Sequence, residues 1–364
     1  MTASEIKWLE AHENPWGVRV LDIRPITQNV LLTSSDPRCA INAVSFLQDD
    51  GTGFIGEEPR VARVVKANLI FPTDRKLADG VLFTPSTMEH KWALFYHRRK
   101  IICVRSWLRQ VAAVALVEEQ NDHIAIKAIR GTIAEEVDDP EYSVRAFNFL
   151  LRSHALGAAY PAPLPPGLEQ KPQDAARWCL STFGKLALFA TPYQIKSGPP
   201  EKPLRTHSLL HIGIARGDVA MVEASLAAGI PVDQLAGDGL APLHWALSQK
   251  DSAIMALLLK SGSPVDVRSS EGATPLITAV QNASMLDKAL FLLDHGADVN
   301  ARDLRGFDSL QCAAYAGHVD LVKMLLSRGA SPHHVLDGQT AKSFAEMQGH
   351  SEIVAILSAY DSGV

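Results

Sequence analysis

The amino-acid sequence predicts two architectures in one chain. An α+β N-terminal domain, antiparallel and β-rich with one or two helices, is followed by an all-α solenoid of about five repeats. Three observations carry this. First, Ser208-Leu-Leu-His211, Ala241-Pro-Leu-His244, Thr274-Pro-Leu-Ile277, Asp308-Ser-Leu-Gln311 and Thr340-Ala-Lys-Ser343 recur at spacings of 33, 33, 34 and 32 residues. Second, Gly229, Gly262, Gly296 and Gly329 keep the same step, at 33, 34 and 33. Third, residues 1–160 lack this period and instead alternate aromatic and β-branched runs with short polar breaks. A length of 364 residues accommodates both parts, since one core rarely grows past ~250 to 300 residues.

Composition bounds the function. Hydrophobic residues make up 47% and charged ones 21%, the balance of a chain that buries cores and not of a disordered one. The strongest apolar runs, such as Val111 to Val117, fall short of the ~18 to 20 residues needed to cross a bilayer. The start MTASEIKWLE has no basic-then-apolar signal layout, so no membrane association is expected. Cys39, Cys103, Cys179 and Cys312 lie far apart without paired spacing and read as small buried hydrophobes in a reducing compartment, with the cytoplasm as the expected location. Residues 1–203 carry 24 Lys and Arg against 23 Asp and Glu, and residues 204–364 carry 11 against 17. Neither balance suits a dedicated nucleic-acid binder.

In chain order, Val18 to Ile23, Ala40 to Leu47 and Val81 to Phe83 are strand candidates. His90 to Trp107 holds two apolar runs around His97-Arg-Arg-Lys100 and predicts a β-hairpin, although Arg98-Arg99 is poor chemistry for a tight primed turn. Val111 to Val117 and His123 to Ile129, split by five polar residues, predict a second hairpin. Helical spacing follows over Val144 to Leu156. Residues 161–203 read as a Pro-rich connector with one helix over about 174–190, whose Trp178, Leu180, Phe183 and Leu186 must pack on a neighbour. Ser197-Gly-Pro-Pro-Glu-Lys-Pro203 is the clearest boundary, placing the solenoid at 204–364.

Within each repeat, Ser208, Thr274, Asp308 and Thr340 can cap a helix start, and Pro242 and Pro275 suit the first helical position. Gly217, Gly317 and Gly349 suit a left-handed cap, after which apolar pairs such as Leu258-Leu259 and Leu325-Leu326 mark a second helix. Residues 206–360 thereby resemble an ankyrin repeat array, most closely from Ala316 to Ala330 and at Gly296-Ala-Asp-Val-Asn300. The first unit departs at Leu209 and Ser225. The third has Ile277 for the usual His and one extra residue over Asn282 to Asp287, and Lys342 and Ser343 make the last unit a polar cap. The resemblance implies a protein-recognition module and backbone hydrogen bonding by His211 and His244.

No catalytic residue, cofactor site or metal site is predicted. Gly51-Thr-Gly53-Phe-Ile-Gly56 matches a dinucleotide-binding spacing, but Asp49, Asp50, Glu57 and Glu58 surround it with negative charge and Pro59 leaves little room for the helix, which favours a hairpin loop. His90 and His97 sit on opposite faces of one strand and cannot share an ion, and His333-His334 has no cysteine partner. The span His90 to Val117 holds Lys91, Arg98, Arg99, Lys100, Arg105 and Arg109 with no carboxylate. Together with Trp92, Phe95, Tyr96 and Trp107 it offers an anion or nucleic-acid site over residues 90–109, weighed against a core hairpin with solvated arginines.

The function expected is that of an adaptor. The array captures a partner protein, and the N-terminal domain binds a second partner or regulates the array. The alternative is an enzyme with an unrecognised site in the N-terminal domain, which a deep pocket of converging His, Asp, Glu or Cys side chains would support. Contact residues are expected at the inner-helix ends, Arg216, Gln249, Gln281, Tyr315 and Met347, and at the projecting turns, Arg268, Glu271, Arg302, Asp303 and Arg305. Tyr315 with Arg302 and Arg305 forms the strongest cluster, because Tyr and Arg are enriched at binding hot spots.

Overall fold

The computed structural model describes residues 6–361 except 32, 33, 35, 47, 48, 196, 197 and 200. The chain divides into two compact units, residues 1–208 and 209–364. Leu47, Ser197 and Pro200, each part of an expected element, lie outside the described residues.

The first unit is built on two sheets. Its elements in order are β1 (Lys7–Leu9), β2 (Val20–Asp22), α1 (Arg24–Thr27), α2 (Pro37–Ser45), β3 (Val64–Pro72), β4 (Gly80–Phe83), β5 (Trp92–His97), β6 (Lys100–Arg105), β7 (Gln110–Glu119) and β8 (His123–Gly131). There follow α3 (Pro140–Leu150), a π-helical turn (Leu151–Ala155), β9 (Ala162–Pro163), α4 (Pro172–Phe183), β10 (Phe189–Thr191) and β11 (His207–Ser208). The large sheet runs β11-β4-β5-β6-β7-β8-β3, and the small one β1-β2-β10-β9.

Both expected hairpins form. β5 and β6 pair antiparallel from Trp92↔Arg105 to His97↔Lys100, closed by Arg98 and Arg99 in the left-handed region at φ 51° and 60°. That conformation costs a non-glycine residue about 1 kcal/mol or more. The turn is pinned where it lies: the Arg98 N–H donates to Asp79 Oδ1 at 2.9 Å, and the Arg99 carbonyl accepts from the Val117 N–H at 2.9 Å. One face of β5 joins the main core with Trp92, Leu94 and Tyr96, against Phe147, Phe149, Leu150 and Phe183. On the other face, Phe95 stacks with Phe46 and Phe54 at 6.2 and 5.6 Å, so the whole strand is buried.

Three expectations for this unit are corrected. Ala40 to Leu47, read as a strand, lies up to Ser45 in the helix Pro37–Ser45, with Pro37 at the helix start. The helix placed at 174–190 runs from Pro172 to Phe183, because Gly184 stops it at φ 84° and Phe189–Thr191 pairs with β2 instead. The segment read as a connector, 161–203, is part of the first unit. Ala162, Leu164, Ala175, Ala176, Cys179, Phe183 and Ala190 are all in its core. Its proline content predicted extended backbone, and that backbone is used as strand β9.

The second unit consists of five helix pairs. They are α5 (Leu209–Arg216) with α6 (Val219–Ala227), α7 (Pro242–Ala246) with α8 (Ala253–Lys260), α9 (Pro275–Ala279) with α10 (Leu286–Asp294), α11 (Ser309–Ala316) with α12 (Val319–Ser327), and α13 (Ala341–Gln348) with α14 (Ser351–Asp361). Thr274, Asp308 and Thr340 cap as expected, accepting from the N–H groups of Ile277, Gln311 and Ser343. Ser208 instead belongs to β11, paired with Gly80. The extra residue of the third unit is taken up by a 3-10 turn, Ala283–Met285.

Neighbouring repeats are tied by backbone as well as by packing. The Ser270 N–H donates to Gly239 O at 2.8 Å, and one repeat on, the Leu304 N–H donates to Glu271 O at 2.9 Å. Ring nitrogens of His318 and His350 reach Gln281 O and Tyr315 O, both at 3.1 Å, bolting the starts of α12 and α14 to the C-terminal ends of α9 and α11 in the repeat before. Gly317 is required beneath this bolt: its φ is 79°, and a Cβ there would lie 2.5 Å from the His350 ring. The core of the array runs without a break from Leu210 to Leu357.

Candidate protein-interaction surface

The repeat geometry sets a row of first helices beside a row of projecting turns. Each turn closes on a glycine in the left-handed region, Gly239, Gly272 and Gly306, at φ 82°, 76° and 92°. At the third of these turns, Asp303 Oδ1 accepts from the N–H groups of Arg305 and Phe307, both at 2.9 Å. Its other oxygen accepts from Arg305 Nε and Nη2 at 3.2 and 3.1 Å. Asp303 was expected as a contact residue. The structure makes it an internal clamp of the turn, buried to 6% exposure, because its carboxylate is consumed by these bonds.

The clamp orients Arg305. Its guanidinium lies 5.5 Å from the Phe307 ring centroid and is 63% exposed as a side chain. Phe307 packs on Phe344 of α13 at 5.4 Å, and Phe344 meets Tyr315 of α11 edge-on at 6.3 Å. Tyr315 is 52% exposed, and Met347, one turn beyond Phe344, is 65% exposed. The structure thus joins Tyr315 and Arg305 through two phenylalanines into one aromatic strip across the fourth and fifth repeats. Sequence reasoning missed Phe307 and Phe344. Phe344 stands directly after the repeat's fourth motif position, where Trp245 stands in the second repeat, and that register could have revealed it.

The other expected contacts are more scattered. Arg302 is exposed, and its carbonyl accepts from Arg268 Nη1, which also donates to Gly272 O at 2.8 Å. Arg268 is thereby committed to holding two turns together. Glu271 is exposed with its carbonyl bonded to Leu304, and Leu304 itself is 80% exposed at the tip of the next turn. Arg216 is placed at the end of α5, with its Nη1 3.4 Å from Met221 Sδ. Gln249 is half-buried and Gln281 exposed at the ends of their helices. Trp245 is half-buried, with its indole N–H on Asp238 Oδ2 at 3.0 Å.

In the first unit the basic hairpin residues do not converge. Arg105 donates to Thr182 O and, at 3.0 Å, to Ser181 O, with its guanidinium 4.8 Å from the Trp92 ring; burial lowers its pKa to about 10. Arg109 donates to Ser45 Oγ at 2.8 Å and pairs with Asp49 at 2.5 Å over the Phe46 ring. Arg99 lies 3.5 Å from Glu119, and Lys100 is half-buried at the end of β6 opposite His97. Lys91 is 5% exposed with its ammonium against the Trp107 ring, and burial lowers its pKa to about 7. Lys91, Arg105 and Arg109 thus pack within the unit, whereas Arg98 and Arg99 are exposed at the hairpin turn.

The glycine loop at 51–56 forms a 3-10 turn, Thr52–Phe54, and not a helix start; Gly51 lies against the Phe95 ring. His97 bonds Asp50 O at 2.7 Å, and His334 bonds Gly306 O at 3.1 Å. His244 bonds Ala273 O at 3.0 Å, and His211 lies edge-on to Trp245 at 5.4 Å. Burial raises the thiol pKa of Cys103 and Cys179, and that of Cys312 to about 12. Among the described residues no group of three or more His, Cys, Asp or Glu could hold a metal ion, and no helix is long and apolar enough to cross a membrane.

Comparison with known proteins agrees with this geometry. Two family models for ankyrin repeats match, one over residues 210–303 and one over 283–326. The C-terminal part of the chain is an ankyrin-repeat array. Similar segments occur in calmodulin-binding transcription activator 4 of Arabidopsis thaliana, 36% identical over 74 residues, and in the serine/threonine-protein kinase TNNI3K of Mus musculus, 36% over 86 residues. The DNA replication inhibitor plutonium of Drosophila melanogaster is 37% identical over 89 residues. These alignments cover 18%, 21% and 23% of this chain, and 7%, 10% and 51% of the respective relatives, so the chain spans at most about half the length of those relatives.

Proposed function

We propose that this protein is a non-enzymatic adaptor whose array captures a partner protein on the strip Arg305–Phe307–Phe344–Tyr315, with Arg302 and Met347 at its margins. The observation that carries this reading is that half-buried Phe307 and Phe344 link the exposed Arg305, Tyr315 and Met347 side chains on a backbone tied by inter-repeat hydrogen bonds. Aromatic rings with few rotatable bonds, and Arg305 already held by Asp303, lose less freedom on binding than free flexible side chains, which suits them to an interface. A complementary segment has an apolar or aromatic side chain to lie on Phe344 and Tyr315 and a carboxylate to meet Arg302 and Arg305. The proteins with similar segments are, by name, a transcription activator, a kinase and a replication inhibitor. Such variety supports a shared recognition role for the repeats over a shared chemistry. The four free cysteines support a reducing compartment such as the cytoplasm, and the first unit serves as a second binding or regulatory element.

The test is quantitative capture by the wild-type chain beside Arg302→Glu/Arg305→Glu and Tyr315→Ala, followed by titration of the captured protein after purification. The reading expects each variant to weaken the interaction at least tenfold with the fold intact by circular dichroism. Equal affinity for all three chains contradicts it.

A further inference from the structure

A cavity of about 590 Å³ opens in the first unit, within the size range of small-molecule sites and independent of the array surface. Its walls are apolar and aromatic, with Trp16, Leu156, Tyr160 and Ile195 among them, and Trp16 is held in place against Phe189 at 5.1 Å. A second cavity of about 180 Å³, lined by Arg145 and Asn148, shares Tyr160 and Ile195 with the first.

The polar focus is Arg152. It lies on the π-helical turn Leu151–Ala155, closed by the Leu156 N–H donating to Leu151 O at 3.0 Å. Such turns are rare and concentrate at functional sites. Here the neighbouring His154 ring is buried in the core on Ser153 Oγ at 2.7 Å, while Arg152 lines the cavity. The Arg152 Nε donates to Asn148 Oδ1 at 2.9 Å, and its guanidinium lies 5.0 Å from the Tyr160 ring and 5.3 Å from the Phe71 ring. A guanidinium so placed requires an anion, since burying an unpaired charge is costly. The anion present is the carboxylate of Glu201, the one acidic side chain among the described lining residues, on which Lys202 also follows.

We propose that this cavity is a binding site for a small organic carboxylate with a planar apolar body, and that Glu201 is a tethered stand-in for the ligand's carboxylate. The ligand's carboxylate takes the Arg152 guanidinium in bidentate fashion, displacing Glu201, while its apolar body lies between Trp16 and Tyr160. Because Glu201 is on the same chain, it competes at a high effective concentration and holds affinity down in the resting protein. A carboxylate is favoured over a phosphate ester because the chain's own occupant of the guanidinium is a single carboxylate.

The test uses the full chain and 2-naphthoate, with neutral 2-naphthamide and phenyl phosphate as comparison probes, read by ligand-observed NMR and thermal shift. Saturable 2-naphthoate binding, weaker by about tenfold or more for the amide, is expected in the wild type. Glu201→Gln should tighten naphthoate binding by about tenfold by removing the tethered competitor, and Arg152→Gln should abolish it. Should Glu201→Gln fail to fold, the wild-type contrast between acid and amide still decides. Absence of saturable binding, equal binding of acid and amide, binding of phenyl phosphate in place of naphthoate, or unaltered binding to Arg152→Gln each overturns the proposal.

Discussion

The two units of this chain solve the same problem by different routes. In the first, residues far apart in sequence meet: β10 pairs with β2, β11 with β4 and β3 with β8, and one core serves both sheets. In the second, each repeat touches its neighbours and the core is a chain of similar contacts. A fold closed by distant pairings fails as a whole, whereas a stack can open from its ends. The difference also separates function: the stack leaves a long row of equivalent surface positions free to vary, whereas in the closed unit Lys91, Arg105 and Arg109 are drawn into its own packing.

The largest effect that separates the two is loss of a core aromatic. Phe149→Ala should cost the first unit about 3–5 kcal/mol and lower its unfolding midpoint as one transition. Trp245, the array's single tryptophan, reports its own unit, and its signal in urea should be unmoved. Coincident loss of both signals contradicts the division into two units.

Acid should act next. Burial lowers the pKa of His90 and His154 to about 4 and about 3, so each is kept neutral in the folded unit. The unfolded chain takes up these protons first, and stability present above pH 6.5 is lost as pH falls toward 3. His154→Phe should flatten this decline in the first unit and leave the array's pH response, which includes His244, unchanged. Urea midpoints between pH 7 and 4 measure it.

A smaller change comes from Lys91, whose pKa burial lowers to about 7. The unfolded lysine holds its proton up to its ordinary value near 10.5, so the cost of burying it is full below pH 7 and eases as pH rises. Lys91→Met should raise stability at pH 7 by about 1–3 kcal/mol, with the gain shrinking toward pH 10. The smallest expected effect on stability is that of Arg302→Glu, within about 1 kcal/mol, since an exposed charge contributes little, whereas Arg305→Glu also removes two hydrogen bonds from the buried Asp303 carboxylate.

The contrast between units also explains what was legible in the sequence. Thr274, Asp308, Gly317 and Gly349 announce their helix ends because capping is local chemistry, repeated at a fixed step. The two hairpins of the first unit were equally local. β3 was not, since Val64–Pro72 has a register shift between Lys66 and Leu69 and so lacks clean alternation. Pro37 to Ser45 carries β-branched and small residues but is helical, and Phe189–Thr191 is a strand only because β2 lies beside it. In the interaction surface, Tyr315 and Arg305 were legible as residue types. Phe307 and Phe344 link them through space across a repeat boundary, and Asp303 could not be told from a solvated turn carboxylate until its four hydrogen bonds were seen.

The proposed partner protein lies across the aromatic strip of the fourth and fifth repeats. A photo-reactive benzoylphenylalanine in place of Tyr315, compared with one in place of exposed Glu223 on α6, tests this directly. A discrete cross-linked protein formed from position 315, absent from position 223 and lost with Arg302→Glu/Arg305→Glu, is the predicted result. No cross-linked protein at 315, or the same product from both positions, would contradict it.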